Sequence, residues 1–285
     1  MPIKYFEGDV SGNVGTATNW SDNALPVTND TIIFSDNTYD RDITGDLSAK
    51  EDLHMIVGSQ WNGKFGTSVT AATFHLDSLD YAGQASDVYI DCATSALTVN
   101  VADTGGGAAA LSLGGNATIS MLRVIGGRGT IYNRQASRTI TTVELIGARN
   151  ATVDIGTVPA SGTTLRQDSG TVKIGNSYTN IYVSGGVLEI TGNPTAIATL
   201  DIYDGKVSYN VSGTTAAITS RLSIYDGEFN ASDMTASVAT ITGAELYENG
   251  TLDERNGLET IAWSGGIAYY GGDLLLDAGR VVTIS

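Results

Sequence analysis

The chain has 285 residues, with 35 Gly, only 4 Pro and 16% charged side chains, which is the composition of many short strands joined by tight turns. Its formal charge of −16, from 31 acidic against 15 basic residues, repels nucleic acid and anionic membrane surfaces, and no Lys/Arg stripe overrides that field locally. The lone Cys92 excludes an internal disulfide, and no stretch approaches the 18 or so apolar residues that a membrane-spanning helix needs.

In chain order, residues 1–30 read as an irregular cap in which Gly8, Gly12 and Gly15 precede an Asn/Asp-rich segment around Pro26. The opening MPIKYFEGDVSG has no apolar core of signal-peptide length, so synthesis and folding in a cytoplasm are expected. Thr31–Phe34 is the first clear strand, and residues 36–52 are acidic and solvated before the strand LHMIVG at 53–58. Further strands are expected at Thr73–Leu76, Val88–Asp91, Leu97–Val101 and Ala109–Leu113. No segment carries an apolar i, i+3, i+4, i+7 pattern over three turns, so very little helix is expected.

The clearest signal is an internal repeat: LDIYDGKVSYN at 200–210 returns as LSIYDGEFNAS at 222–232. Each copy is a short alternating strand, an Asp-Gly turn and a second alternating strand, a unit too small to bury its apolar face alone. A template of apolar, any, apolar, any, small or Asp, Gly can be laid at Leu122, Val143, Leu165, Ile181, Leu200, Leu222, Ala239, Ile261 and Leu274. Its sixth position is Gly in seven of the nine copies, as a corner with positive φ or close backbone approach requires. The mean interval of about 19 residues is too short for propeller blades or helical repeats, and the leucine-rich spacing is absent. We therefore expect a single right-handed parallel β-helix over residues 31–285, with an antiparallel sandwich as the runner-up. Its last rung, LLLDAGRVVTIS, holds apolar residues to Ser285, which is expected to bring a second subunit or another protein onto that end.

The search for chemistry yields little. His54 and His75 stand in strand patterns without a second ligand at metal spacing, and no phosphate-binding loop, dinucleotide fingerprint or nucleophile elbow occurs. Metal, cofactor and catalytic residues are accordingly expected to be none. Asp204 and Asp226 hold the same template position in the two copies and invite comparison with a glycosidase pair, but Asp before Gly is the ordinary turn dipeptide. Tyr203 and Tyr225 share the outward fourth position and should stack on each other, with Ile267 and Tyr269 also outward. These four, with Val282 and Ile284 of the last rung, form the expected interface, a subunit contact being favoured over a sugar platform.

Asn19-Trp20-Ser21, Pro26 and Asp30 before the strand Thr31–Phe34, then Gly63-Lys64-Phe65-Gly66, make residues 15–66 resemble the opening of Gly-rich β-helical virion proteins of tailed bacteriophages. The resemblance implies a structural role on the virion, on the capsid surface or tail, commonly as a homotrimer, and carries no catalytic residues. The expected function is thus a non-enzymatic capsid decoration (cement) protein bridging the major capsid protein or another virion protein. A receptor- or glycan-binding fibre or adhesin module is the alternative, followed by a polysaccharide-degrading β-helix enzyme.

Overall fold

The structure, a computed structural model, describes residues 2–35, 41–84, 87–93, 97–102, 110–115, 118–126, 128–134, 138–156, 162–175, 177–194, 196–211, 216–231, 238–253, 255, 260–263 and 267–276. It is all-β, with parallel strands stacked as a β-solenoid, and the only helical element among the described residues is the single 3-10 turn Ala17–Asn19. The contacts divide the chain into two compact units, Met1–Ile140 with Asn150–Val153, and Thr141–Arg149 with Asp154–Ser285.

In the first unit one column of strands runs through Ile3–Tyr5, Thr31–Phe34, Leu53–Val57, Leu76–Tyr81, Leu97–Val101 and Ile119–Ile125. Lys4, Ile32, Met55, Leu79, Val99 and Leu122 occupy equivalent register positions, all in parallel pairs. One register position thus returns in every turn from Ile32 to Leu122, and the repeat is already running where the sequence shows no countable template. A second column is built by Asp46–Leu47, Ala72–Phe74, Asp87–Cys92, Ala110–Gly114 and Arg128–Asn133. Alternation sends every second side chain inward, and Ile32, Met55, Leu79, Val99 and Leu122 are all buried, as is Cys92.

The first thirty residues are not irregular throughout. Ile3–Tyr5 pairs in parallel with Thr31–Ile33 and is itself part of the column. Behind it, Phe6, Trp20, Phe34, Trp61 and Phe65 form a chain of ring contacts with centroids 5.0–6.2 Å apart. The buried Asn19 amide ties the irregular segment down: its Oδ1 accepts from the backbone N–H of Val10 and Ser11, both at 3.1 Å, and its Nδ2 donates to the carbonyl of Asn13 at 2.9 Å. Trp20 Nε1 donates to the Val14 carbonyl, and Asp30 accepts from the Val27 N–H. The Lys4 ammonium donates to Asp22 and holds that carboxyl below the usual carboxylate range. The residues that carry the phage-protein resemblance, Asn19, Trp20, Asp30 and Phe65, are therefore builders of the first rungs.

In the second unit Val143, Leu165, Ile181, Leu200, Leu222, Ala244 and Ile267 form one buried column, each in register with the next. Val172, Leu188, Val207, Phe229, Leu252 and Leu274 line a second column. The last three template positions expected from the sequence thus need correction. Ala239 and Ile261 pair with each other in the column that contains Ala217 and Ile218, and Leu274 belongs to the second column. At the glycine corner Gly170, Gly186 and Gly205 have φ of +71°, +78° and +87°. A Cβ on Gly205 would lie 2.7 Å from the Gly186 carbonyl oxygen, and one on Gly186 would lie 2.3 Å from that of Gly170. Backbone conformation and backbone approach both require Gly there.

Trp20 is fully buried, and Trp20→Ala is expected to destabilise the first unit by about 3–5 kcal/mol in chemical denaturation followed by near-ultraviolet circular dichroism. A loss under about 1 kcal/mol would mean that the aromatic cluster does not hold the first rungs together.

Candidate functional site: an exposed tyrosine ladder

Parallel register turns a repeat in sequence into a column in space. Ile202, Ile224, Leu246 and Tyr269 pair in order, so the residues that follow them, Tyr203, Tyr225, Tyr247 and Tyr270, leave the rungs one above another. The backbone fixes each step: the N–H of Tyr225 donates to the Ile202 carbonyl at 2.8 Å, that of Tyr247 to Ile224 at 2.9 Å and that of Tyr270 to Leu246 at 2.7 Å. The four rings form a continuous stack with centroid separations of 4.9, 4.5 and 4.9 Å and interplanar angles of 3°, 18° and 20°. Such pairs contribute about 0.5–1.5 kcal/mol each beyond area burial. Stacking consumes the ring faces and leaves edges and hydroxyls outward, Tyr203 being 44% and Tyr270 61% exposed.

The flank of the ladder is polar and organised from rung to rung. Arg221 donates to both carboxylate oxygens of Asp201, at 3.2 and 2.6 Å. Ser223 Oγ donates to Glu245 at 3.0 Å, and Tyr247 Oη lies 3.4 Å from the same carboxylate oxygen. On the other column Lys173 faces Glu189 at 3.2 Å and Lys206 faces Glu228 at 2.8 Å, each pair in direct register. Opposite charges on adjacent rungs, about 5 Å apart, avoid the repulsion that a stacked run of carboxylates would create in this acidic chain.

Of the six interface residues expected from the sequence, Tyr203 and Tyr225 lie in the ladder. Tyr269 is 44% exposed but stands one residue off the row, its hydroxyl donating to the Gly272 carbonyl. Ile267 does not face outward: it pairs with Ala244 and is fully buried, because the inward first position of the unit falls on Ile267 itself and not on Ile261. Val282 and Ile284 lie outside the described residues. Sequence reasoning missed Tyr247 and Tyr270, although both continue the spacing that separates Tyr203 from Tyr225 almost unchanged.

The other candidates take structural places. Asp204 Oδ1 accepts from the N–H of Gly205 at 2.6 Å, the turn role expected of Asp before Gly. His54 pairs with Asp80 at 3.1 Å, and His75 lies 4.0 Å from Asp52. Among the described residues no group of three or more His, Cys, Asp or Glu converges as a metal site, and no helix is long and apolar enough to cross a membrane. Comparison with protein-family models, with curated proteins and with solved structures finds no match for this chain.

Burial, then the Asp201 carboxylate, raises the pKa of Tyr203; burial, then Glu245, raises that of Tyr247. Burial alone pushes Tyr81, Tyr178 and Tyr209 well above the ordinary value. A raised native pKa means that the folded chain keeps its proton where the unfolded chain has lost it, so this stability is whole below pH of about 10 and is lost as pH rises further. Spectrophotometric titration should show these tyrosines ionising later than the rest, with denaturant stability falling above pH of about 10. All 13 tyrosines ionising together, with stability flat, would contradict the packing described here.

Proposed function

We propose that the chain is a non-enzymatic structural protein of a larger assembly, docking on its partner through the tyrosine ladder. In its most concrete form it is a decoration (cement) protein on the capsid of a tailed phage, gripping shell subunits or further copies of itself in a homotrimer. The ladder is the observation that carries this reading. Four stacked rings present a rigid aromatic edge, and their side-chain freedom is already lost on folding. Docking then escapes most of the roughly 0.5–1.5 kcal/mol that each free side chain would cost to immobilise. Tyrosine edges beside the exposed Arg221 guanidinium and the half-buried Glu245 carboxylate combine apolar contact with a polar rim, the arrangement that interfaces favour. The phage context is supported by the resemblance of residues 15–66.

The test is binding of the purified chain to heads of the encoding phage assembled without it. Occupancy should saturate in proportion to the shell subunits and raise the temperature at which the heads rupture. The double variant Tyr225→Ala/Tyr247→Ala should bind at least about tenfold more weakly. Heads that take up no protein, or a double variant that binds like the parent, would refute the reading, and sedimentation equilibrium of the free chain checks the trimer.

A further inference from the structure

The ladder ends at Tyr203, and what lies beyond that ring is a cleft. Between Val183 and Ser184 the register slips: Val183 pairs with Ile202 but Ser184 pairs with Asp204, so Tyr203 has no counterpart in the preceding rung. One face of its ring stacks on Tyr225, and among the described residues no ring contacts the other face. In the outward positions of the two preceding rungs stand the small polar side chains of Ser184 and Asp168, both exposed. The result is a cleft of about 340 Å³ lined by Ile146, Arg166, Asp168, Tyr182, Ser184 and Tyr203. That volume lies at the small end of small-molecule sites, roughly 300–1,000 Å³.

Its walls suit a ring with an apolar C–H face and hydroxyls around its edge. Tyr203 offers an aromatic face, and Tyr182 a second ring with the Arg166 guanidinium 5.8 Å above its centroid. Asp168 Oδ1 accepts from the N–H of Gly147 at 2.8 Å and from Ser169 Oγ at 2.6 Å, which fixes the carboxylate and presents Oδ2 as a further acceptor. Ser184 and Arg166 add donors. Gln167, on the cleft floor, spends its Nε2 on the carbonyls of Gly170 and Val187, while its buried Oε1 has no hydrogen-bond partner among the described residues. Aromatic faces stack on the C–H face of a sugar ring, while a fixed carboxylate, a guanidinium and a hydroxyl read its equatorial hydroxyls. The chain's charge of −16 disfavours an acidic sugar.

We infer that this cleft binds a neutral hexopyranose unit of a glycan, stacked on Tyr203 in the place where the next ring of the ladder would stand. The cleft shares Tyr203 with the proposed docking ladder but uses the free face of that ring, whereas docking uses the ring edges. Ser184→Tyr would fill the gap with a ring of the chain's own.

The experiment is saturation-transfer NMR and titration of the full chain with the methyl pyranosides of glucose, galactose, mannose and N-acetylglucosamine, with p-cresol as a mimic of a partner's tyrosine. At least one pyranoside should bind with a Kd on the order of 1 mM. Ser184→Tyr should abolish that binding, Asp168→Asn should weaken it about fivefold or more, and Tyr270→Ala should leave it unchanged. Thermal melting checks that the variants are folded. Should Ser184→Tyr not fold, Asp168→Asn decides, since its amide oxygen can keep the bond from Gly147. Absence of saturable binding by every pyranoside overturns the inference, as does binding that both Ser184→Tyr and Asp168→Asn leave intact. Saturable binding of p-cresol alone also overturns it and assigns the cleft to an aromatic side chain of a partner.

Discussion

In-register parallel pairing is the constraint from which the rest of this molecule follows. When a backbone winds so that each strand hydrogen-bonds to the strand one turn earlier, every side chain lies about 4.8 Å from a counterpart in the neighbouring rung. A column must therefore tolerate itself. Inward columns do so with aliphatic side chains: Val143, Leu165, Ile181, Leu200, Leu222, Ala244 and Ile267 are all buried in one line. Outward columns do so by pairing opposite charges, as in Lys206 on Glu228, or by stacking planar rings, as in Tyr203 to Tyr270. The corner does so by having no side chain at all, since Gly186 and Gly205 approach the carbonyl below more closely than a Cβ permits.

The same constraint makes the surface a one-dimensional code, and its errors are as informative as its regularities. The tyrosine column stops where the register slips at Ser184, leaving the last ring with an open face, and the cleft opens at that point. The two proposed functions divide along this column. Its continuous part presents a rigid aromatic edge to a partner, and its interrupted part presents a ring face and hydroxyl-reading groups to a small ligand. One face of a solenoid can support both because a partner meets the ring edges while a ligand meets the free face of Tyr203 and the rungs before it.

Much of the fold was legible because the repeat at 200–210 and 222–232 keeps its length, so the glycine corner and Tyr203 over Tyr225 could be placed from the sequence. The register after Leu222 was not, for a local reason. The turn Tyr247-Glu248-Asn249-Gly250 holds one residue more than Tyr203-Asp204-Gly205, which moves its glycine out of the template position, while Ala239-x-Ile241 offers a false match in the preceding strand. That slip misplaced Ile267 and hid Tyr247 and Tyr270. In the first unit the steps from Ile32 to Leu122 are at least as even as those of the second, but before Leu122 no glycine stands at the template's sixth position, and Trp20, Trp61 and Phe65 replace aliphatic alternation with aromatic packing. The cleft was invisible in the sequence because it depends on a register shift that no residue type announces.

The register itself can be tested directly by cysteine cross-linking. Lys206 and Glu228 are partners on adjacent rungs, with Thr251 one rung further on. A disulfide needs Cα atoms about 4.4–6.8 Å apart. Under mild oxidation the double variant Lys206→Cys/Glu228→Cys should close an intramolecular disulfide readily, and Lys206→Cys/Thr251→Cys, two rungs apart, should not. Failure of the first pair in a folded protein, or efficient closure of the second, would show that successive turns do not lie in the register described here.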